Sequence, residues 1–379
     1  MKFYRKIFIW QFIFSFLFIN IALAASPEIT AESAIVVEAG TGRVVYEKNA
    51  DAKRYPASLT KMMTAILAKE NLASNDVITI SEAAAYVESS TLGLMPGDKI
   101  SAKELITGML LASDNGAALA LAEAVDGDEA LFADRMNEKA LEFGMLSTHF
   151  VTPNGLHDDE HYSTARDMAK LARELAKDKF LTKVTGTKKQ NIKWLSPKGK
   201  NIDAMNTNEL LEMYPYAVGM KTGYTSLAGG CLAAKAKKNG VTLIAIILKS
   251  ADYNSRFSEA KELLEYSFKR VSMVEGLAKE RVNETVYVAG GVKYKLRATL
   301  SEDIYYPLID GESAEKYSLK LNLPKIIEAP IEKGDEIGSM DVYYGDEMVE
   351  SVPIVARDEV TAGFSFLSWL VGLVAPLVD

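Results

Sequence analysis

Three short motifs carry the residue types of serine acyl transfer. In "RYPASLTKMMTA", residues 54–65, Ser58 stands three residues before Lys61 and just past Pro56. Residues i and i+3 share one helix face, so the Lys61 amine can reach the Ser58 hydroxyl. The neighbours Leu59, Met62, Met63 and Ile66 are apolar. Desolvation among them lowers a lysine's pKa, which suits it to accept a proton near neutral pH. The same S-x-x-K spacing recurs at Ser258 and Ser313, and about one or two matches arise by chance at ordinary Ser and Lys usage. Context has to separate Ser58 from them.

Two further motifs supply that context. Ser113-Asp114-Asn115 is the only S-x-N in the chain. It lies where one helical run meets another, so Ser113 and Asn115 can point into a cleft, while Asp114 is as compatible with an outward position and is assigned no role. Lys221-Thr222-Gly223 also occurs once, a tripeptide expected in fewer than about one chain in ten. Lys221 offers fixed positive charge, Thr222 a hydroxyl for a carboxylate, and Gly223 room for close backbone approach.

The elements that position these motifs follow from hydrophobic periodicity. "SAIVVEAGTGRVVYEK" reads as two strands about the turn residues Gly40, Thr41 and Gly42. From Ser58 to about Lys179 apolar residues recur three and four apart, a helical block. Strand character returns in "YAVGMKTGY", "AGGCLAAKAKK" and "VTLIAIILKS", the last two joined at Asn239-Gly240. "SRFSEAKELLEYSFKRV" is then amphipathic helix. Strands early and late around a helical block predict an α+β domain in which both ends of the segment share one antiparallel sheet. Residues 284–356, in short Val-, Tyr- and Ile-rich runs, predict a separate all-β domain.

Charge and composition narrow the function. At 379 residues with 48% hydrophobic content, the chain has room for about two domains. Lys2, Arg5 and Lys6 precede an almost uncharged run that closes on Ala22-Leu23-Ala24, the pattern of a cleaved signal peptide with a mature start near Ala25. The formal charge of −8, without a basic stripe, argues against nucleic acid. A single cysteine, Cys231, excludes an intramolecular disulfide. His149, His157 and His161 are close in sequence, but "HDDEH" lacks a helical ligand frame, and no metal or other cofactor is expected. His149 and His161 are read as braces of their loop, and Cys231 as a small buried residue. The tail, "GFSFLSWLVGLVAPLVD", is too short to span a bilayer. Ser365, Ser368, Gly372 and Ala375 form a narrow stripe on it; its broad apolar face predicts either a helix lying in a membrane surface or one docked on the protein. The expected division is therefore 1–24 signal, 25–275 catalytic domain, 276–360 all-β domain and 361–379 tail.

In this order, S-x-x-K, S-D-N and K-T-G are the signature of penicillin-binding proteins and class A β-lactamases. The chain resembles, more closely, the D-alanyl-D-alanine carboxypeptidases among the low-molecular-mass penicillin-binding proteins. The likeness runs through "DAKRYPASLTKMMTA", "HFVTPNGLHDDEHYSTARDMAKLA", "NTNELL" and "GMKTGYTSLAGGCLAA" and covers nearly the whole mature chain. It implies a β-lactamase/transpeptidase-like domain, export to the outer face of the cytoplasmic membrane, and a tail resting there. It also implies peptidoglycan stem peptides as substrates and β-lactams as covalent inhibitors. Ser58 would be the nucleophile, Lys61 its base, and Ser113 with Asn115 would relay protons and hold the peptide. Backbone N–H groups of Ser58 and Tyr224 would receive the oxyanion, and Lys221, Thr222 and Arg256 the terminal carboxylate. Two departures stand out: Asp114 replaces a glycine common in such enzymes, and the tail is less basic than usual.

Three rivals share these motifs. A class A β-lactamase needs an E-x-x-L-N glutamate, which residues 116–220 lack; Glu209 has the wrong setting. A D,D-endopeptidase acting on cross-links would use the same site, and a wall-binding scaffold would keep the motifs without turnover.

Overall fold

The computed structural model describes residues 26–374; the expected signal peptide and the start near Ala25 lie outside the described residues, as does Ala375 of the tail stripe. A five-stranded antiparallel sheet organises the first domain, in the order Val44–Lys48, Ser33–Glu38, Val241–Ser250, Gly229–Lys238, Ala217–Thr225. The strands that begin the domain thus pair with those that end it, as the α+β pattern requires.

Both faces of this sheet are covered, which is why its central strands are apolar throughout rather than alternating. Ile35, Val37, Ile244 and Ile246 pack on one side into the core of helices Lys61–Asn71, Ala102–Ala112, Asn115–Asp126 and Ala165–Lys177. Val36, Ala245 and Ile247 face the other way, against Phe257, Leu263 and Leu264 of helix Ser255–Phe268. Ser101, Asp114 and Thr164 cap three of these helices through side-chain acceptors, each worth about 1 kcal/mol.

The block from Ser58 to Lys179 is less uniformly helical than its periodicity predicts. Strands Val77–Thr79 and Lys99–Ser101 interrupt it and join Lys189–Ser196 and Asn201–Met205 in a small four-stranded sheet. Three-residue strands are too short for a period of two to be distinguished from one of 3.6.

The second domain is all-β. A six-stranded sheet and the pair Val271–Leu277 with Ile304–Ile309 build it, around a core that includes Val286, Val288, Leu296, Val342 and Ile354. Val271–Leu277 straddles residue 275, so the strand pairing reaches across the expected boundary. Arg43 ties the domains together: its Nη1 donates to Glu312 at 2.8 Å and to Pro307 O at 2.9 Å, and its guanidinium lies 3.6 Å from the Tyr344 ring centroid.

The chain closes on helix Phe366–Val374, which docks on the second domain by its narrow stripe. Ser368 is buried; its Oγ accepts from Gly291 N at 2.8 Å and donates to Val288 O at 2.9 Å. Phe364 and Phe366 before and at the helix start, and Trp369 and Leu373 within it, remain exposed. Among the described residues no helix is long and apolar enough to cross a membrane.

Candidate active site

Ser58 lies in a 3-10 turn, Ala57–Thr60, that runs into helix Lys61–Asn71. The turn is held from both sides. A Cβ on Gly223 would stand 3.0 Å from Pro56 O and 3.1 Å from Ser58 N, so the K-T-G strand passes directly along the serine backbone. A Cβ on Gly155 would stand 2.0 Å from Ala57 O. Only glycine permits both approaches. Ala57 itself takes φ 49°, a left-handed conformation that a residue with a Cβ adopts at some cost.

Lys61 is completely buried one helical turn below the serine. Its Nζ donates at 2.8 Å to Ser58 Oγ, at 2.6 Å to Asn115 Oδ1 and at 2.6 Å to Asn154 O. Burial pushes its pKa down to about 7, against a partly compensating pull from the Asp114 charge. The desolvation anticipated from Leu59, Met62 and Met63 is therefore realised, since all three are buried beside it.

The S-D-N motif forms the joint between two helices. Ser113 ends Ala102–Ala112 with φ 58°, and Asn115 begins Asn115–Asp126. Asn115 Nδ2 donates to Glu88 O at 2.9 Å, which leaves its Oδ1 for Lys61. Asp114 is fully buried, not outward-facing. Its Oδ1 caps the second helix through Ala117 N at 2.7 Å, and its Oδ2 accepts from the amides of Thr91 and Leu92. A short acceptor just before a helical run is a sequence signal for this position.

Lys221 and Thr222 come from the edge strand Ala217–Thr225. Lys221 is buried, and Nζ donates to Thr222 O at 3.0 Å. Burial, with the nearby charges of Lys61 and Arg256, holds its pKa well below that of an ordinary lysine. Thr222 Oγ1 lies 2.5 Å from Thr207 Oγ1, and Thr207 comes from the "NTNELL" stretch. Arg256, from the late helix, is buried and donates from Nη1 to Gly223 O at 2.7 Å. Its Nε and Nη2 have no hydrogen-bond partner among the described residues, and the Tyr253 ring centroid lies 3.8 Å from its guanidinium. Tyr224 is half-exposed, with its ring edge-on to Tyr253.

These groups line one open cleft of about 480 Å³, whose walls include Ser58, Ser113, Asn115, Thr222, Gly223, Tyr224 and Arg256. Lys61 and Lys221 lie beneath its floor. Ser258 and Ser313 are elsewhere: the first bonds within its own helix and the second caps a turn. Sequence reasoning missed Asn154 and Thr207, which contribute a backbone carbonyl and one hydroxyl.

The histidines hold loop structure. His161 Nδ1 accepts from Val151 N, its Nε2 bonds Thr60 Oγ1 at 2.8 Å, and burial pushes its pKa down to about 4. His149 bonds Glu160 O. Cys231 is buried across from Gly223 and does not line the cleft. No group of metal-ligating side chains occurs among the described residues.

Comparison with known proteins agrees with this architecture. The family described as D-alanyl-D-alanine carboxypeptidase matches residues 20–252, and the penicillin-binding protein 5 C-terminal domain matches residues 272–362. The D-alanyl-D-alanine carboxypeptidase DacF of Bacillus subtilis is 34% identical over 90% of this chain and 89% of its own. DacA of Escherichia coli is 31% identical over 90% of this chain and 86% of its own. The solved penicillin binding protein 5 of Haemophilus influenzae superimposes with a TM-score of 0.65 at 29% identity, covering 89% of this chain and 99% of that one. The Streptomyces K15 DD-transpeptidase gives 0.62 at 33% identity over 65% of this chain and 99% of its own. Likeness in both domains, in the same order and over almost the whole length, places the chain in the D-alanyl-D-alanine carboxypeptidase family of low-molecular-mass penicillin-binding proteins.

Proposed function

We propose that the protein is a serine carboxypeptidase that removes the terminal D-Ala from peptidoglycan stem peptides through an acyl-enzyme on Ser58, and that β-lactams acylate the same serine. The observation that carries this reading is the set of partners around Lys61 Nζ. A neutral amine has two N–H groups and one lone pair. Asn115 Oδ1 and Asn154 O take the two hydrogens, so the lone pair is left for the Ser58 hydroxyl. With a pKa of about 7, Lys61 is neutral often enough to serve as base at physiological pH.

The remaining groups then have places in one reaction. Ser58 Oγ attacks the penultimate D-Ala carbonyl as its proton passes to Lys61. The backbone N–H groups of Ser58 and Tyr224 receive the oxyanion, each donor contributing ~3 kcal/mol. The proton moves through Ser113 to the nitrogen of departing D-Ala, and water later cleaves the ester. The substrate's terminal carboxylate lies against Thr222 and the unpartnered Nε and Nη2 of Arg256. Its negative charge also favours the protonated form of Lys221. Ala217–Thr225 is an edge strand, so the peptide can add to it by main-chain hydrogen bonds.

The signal-peptide pattern of residues 1–24 and a peptidoglycan substrate support a setting outside the cytoplasm. We assign residues 1–24 to a cleaved signal peptide and the peptidase to residues 25 to about 270, because strand Val271–Leu277 pairs within the all-β part. The tail, from residue 361, holds the enzyme at the outer surface of the cytoplasmic membrane through its exposed apolar face.

The test is intact mass after brief penicillin treatment, beside D-Ala release from a stem pentapeptide. One penicilloyl group on the wild type and none on Ser58→Ala is the expected result. Penicillin consumed without an adduct would replace this reading with a β-lactamase; intact drug and no adduct would replace it with a binding protein.

A further inference from the structure

The docked tail leaves an apolar slot of about 480 Å³ between its own helix and the outer face of the second domain. Leu367, Leu370 and Val371 of the helix form one wall, and Tyr287, Tyr294 and Ile326 are on the other. Among the described residues the charged group in this lining is Lys325, and no acidic side chain belongs to it. A second cation stands at the rim: Lys295 is the cross-strand partner of Tyr287, and its Nζ lies 5.4 Å from the Tyr294 ring centroid. Lys295 and Lys325 are both exposed.

The helix is held in a fixed orientation. Ser368 bonds the backbone at Gly291 and Val288, and a Cβ on Gly372 would already touch Ala289 at 3.6 Å. Its remaining faces carry Phe366, at 62% exposure, and Trp369, at 50%, with Phe364 at 81% just before them. Trp favours the boundary between lipid and water, and Phe belongs with it on the apolar face of a helix lying in that boundary. The tail has no cation of its own after Arg357, yet the sheet beside it supplies two.

We propose that this slot and its lysine rim form a binding site for an anionic phospholipid of the bilayer surface, an acyl chain lying between helix and sheet and the phosphate facing Lys325 and Lys295. The inference rests on the assignment of the tail to the membrane and adds to it a lipid class and a role for the second domain. A bilayer fits better than a second copy of the chain, because a two-fold contact would gather four lysine ammonium groups in one interface whose described lining holds no acidic side chain.

The test is flotation of the full-length protein, without its signal peptide, on phosphatidylglycerol–phosphatidylcholine vesicles and on phosphatidylcholine alone, with and without brominated acyl chains. Trp369 reports insertion by quenching, and Trp194, buried and bonded to Asp98, serves as the internal reference. Anionic vesicles should bind more tightly, and Lys295→Gln with Lys325→Gln should lower that affinity roughly 20-fold. The Lys295→Arg, Lys325→Arg pair should retain it, and the unfolding midpoint of each variant reports folding. Equal binding to both vesicle types with Trp369 quenched, or a preference unchanged in the glutamine pair, would overturn the lipid site and leave the tail assignment standing. Absence of binding to either vesicle would overturn the tail assignment itself, and the lipid site with it.

Discussion

Asn115 is gripped at both ends: its Oδ1 accepts from Lys61 Nζ at 2.6 Å, and its Nδ2 donates to Glu88 O at 2.9 Å. The amide cannot rotate without losing one of these bonds, so it presents an acceptor to Lys61. In the neutral amine that leaves the lone pair of Nζ to face Ser58. The consequence is a pH dependence. Acylation by penicillin should rise as pH increases through about 7, where Lys61 loses its proton, falling tenfold for each unit below that value. In Asn115→Asp a carboxylate would favour the protonated lysine and move the rise to higher pH. Stopped-flow acylation between pH 5.5 and 9 measures both profiles.

Asp114 links the motif to the wall of the cleft. It caps one helix through Ala117 N and holds the amides of Thr91 and Leu92. Asp114→Ala would strip one cap and leave buried amides without partners. A loss of about 2–4 kcal/mol of stability is expected. Penicillin acylation should slow as well, because Asn115 is the next residue in the chain. Thermal unfolding and acylation rates on the same preparation check the two effects.

The parts of this enzyme that are local in sequence were legible there. Ser58 and Lys61, or Lys221 and Thr222, declare themselves by spacing, and the paired strands by unbroken apolar runs. Arg256 was reachable only by resemblance, since one arginine on an amphipathic helix has no signature of its own. Asn154 acts through a backbone carbonyl, an atom every residue possesses, and Thr207 through one hydroxyl that matters only because the fold sets it beside Thr222. Lys221 illustrates a further limit. Its type suggests a standing charge, whereas its burial beside Lys61 and Arg256 is a product of tertiary packing. Of the tail's two readings the structure bears out docking, through the small stripe, while Phe366, Trp369 and Leu373 stay outward.

Arg256 lines the cleft, and its Nε and Nη2 are buried without a hydrogen-bond partner among the described residues. A substrate ending in a carboxylate can satisfy them, and one ending in a carboxamide leaves a buried charge poorly matched. Wild type should therefore hydrolyse the free-acid peptide about 50-fold more efficiently than its C-terminal amide, corresponding to about 2–3 kcal/mol for a charged hydrogen bond. In Arg256→Ala the preference should largely disappear through loss of kcat/KM on the acid. Rates of D-Ala and D-alaninamide release from matched peptides give the ratio directly.

The junction between the domains contains a separate acid-sensitive contact. Glu312 accepts from Arg43 at 2.8 Å and from Tyr344, and these bonds lower its pKa to about 2. Both partners of the pair are largely shielded, with Arg43 11% and Glu312 24% exposed. A carboxylate whose folded pKa is depressed stabilises the fold above its ordinary pKa, and that contribution is lost as pH falls through the folded value. Between about pH 4.5 and 2 the wild type should thus lose about 2 kcal/mol that Glu312→Gln has already lost at pH 6. Urea unfolding of both proteins at pH 6, 4 and 2.5, followed by far-UV circular dichroism, should show their stabilities converging as the pH falls. Curves that stay parallel would assign the junction's stability to the packing of Arg43 on Tyr344 rather than to the ion pair.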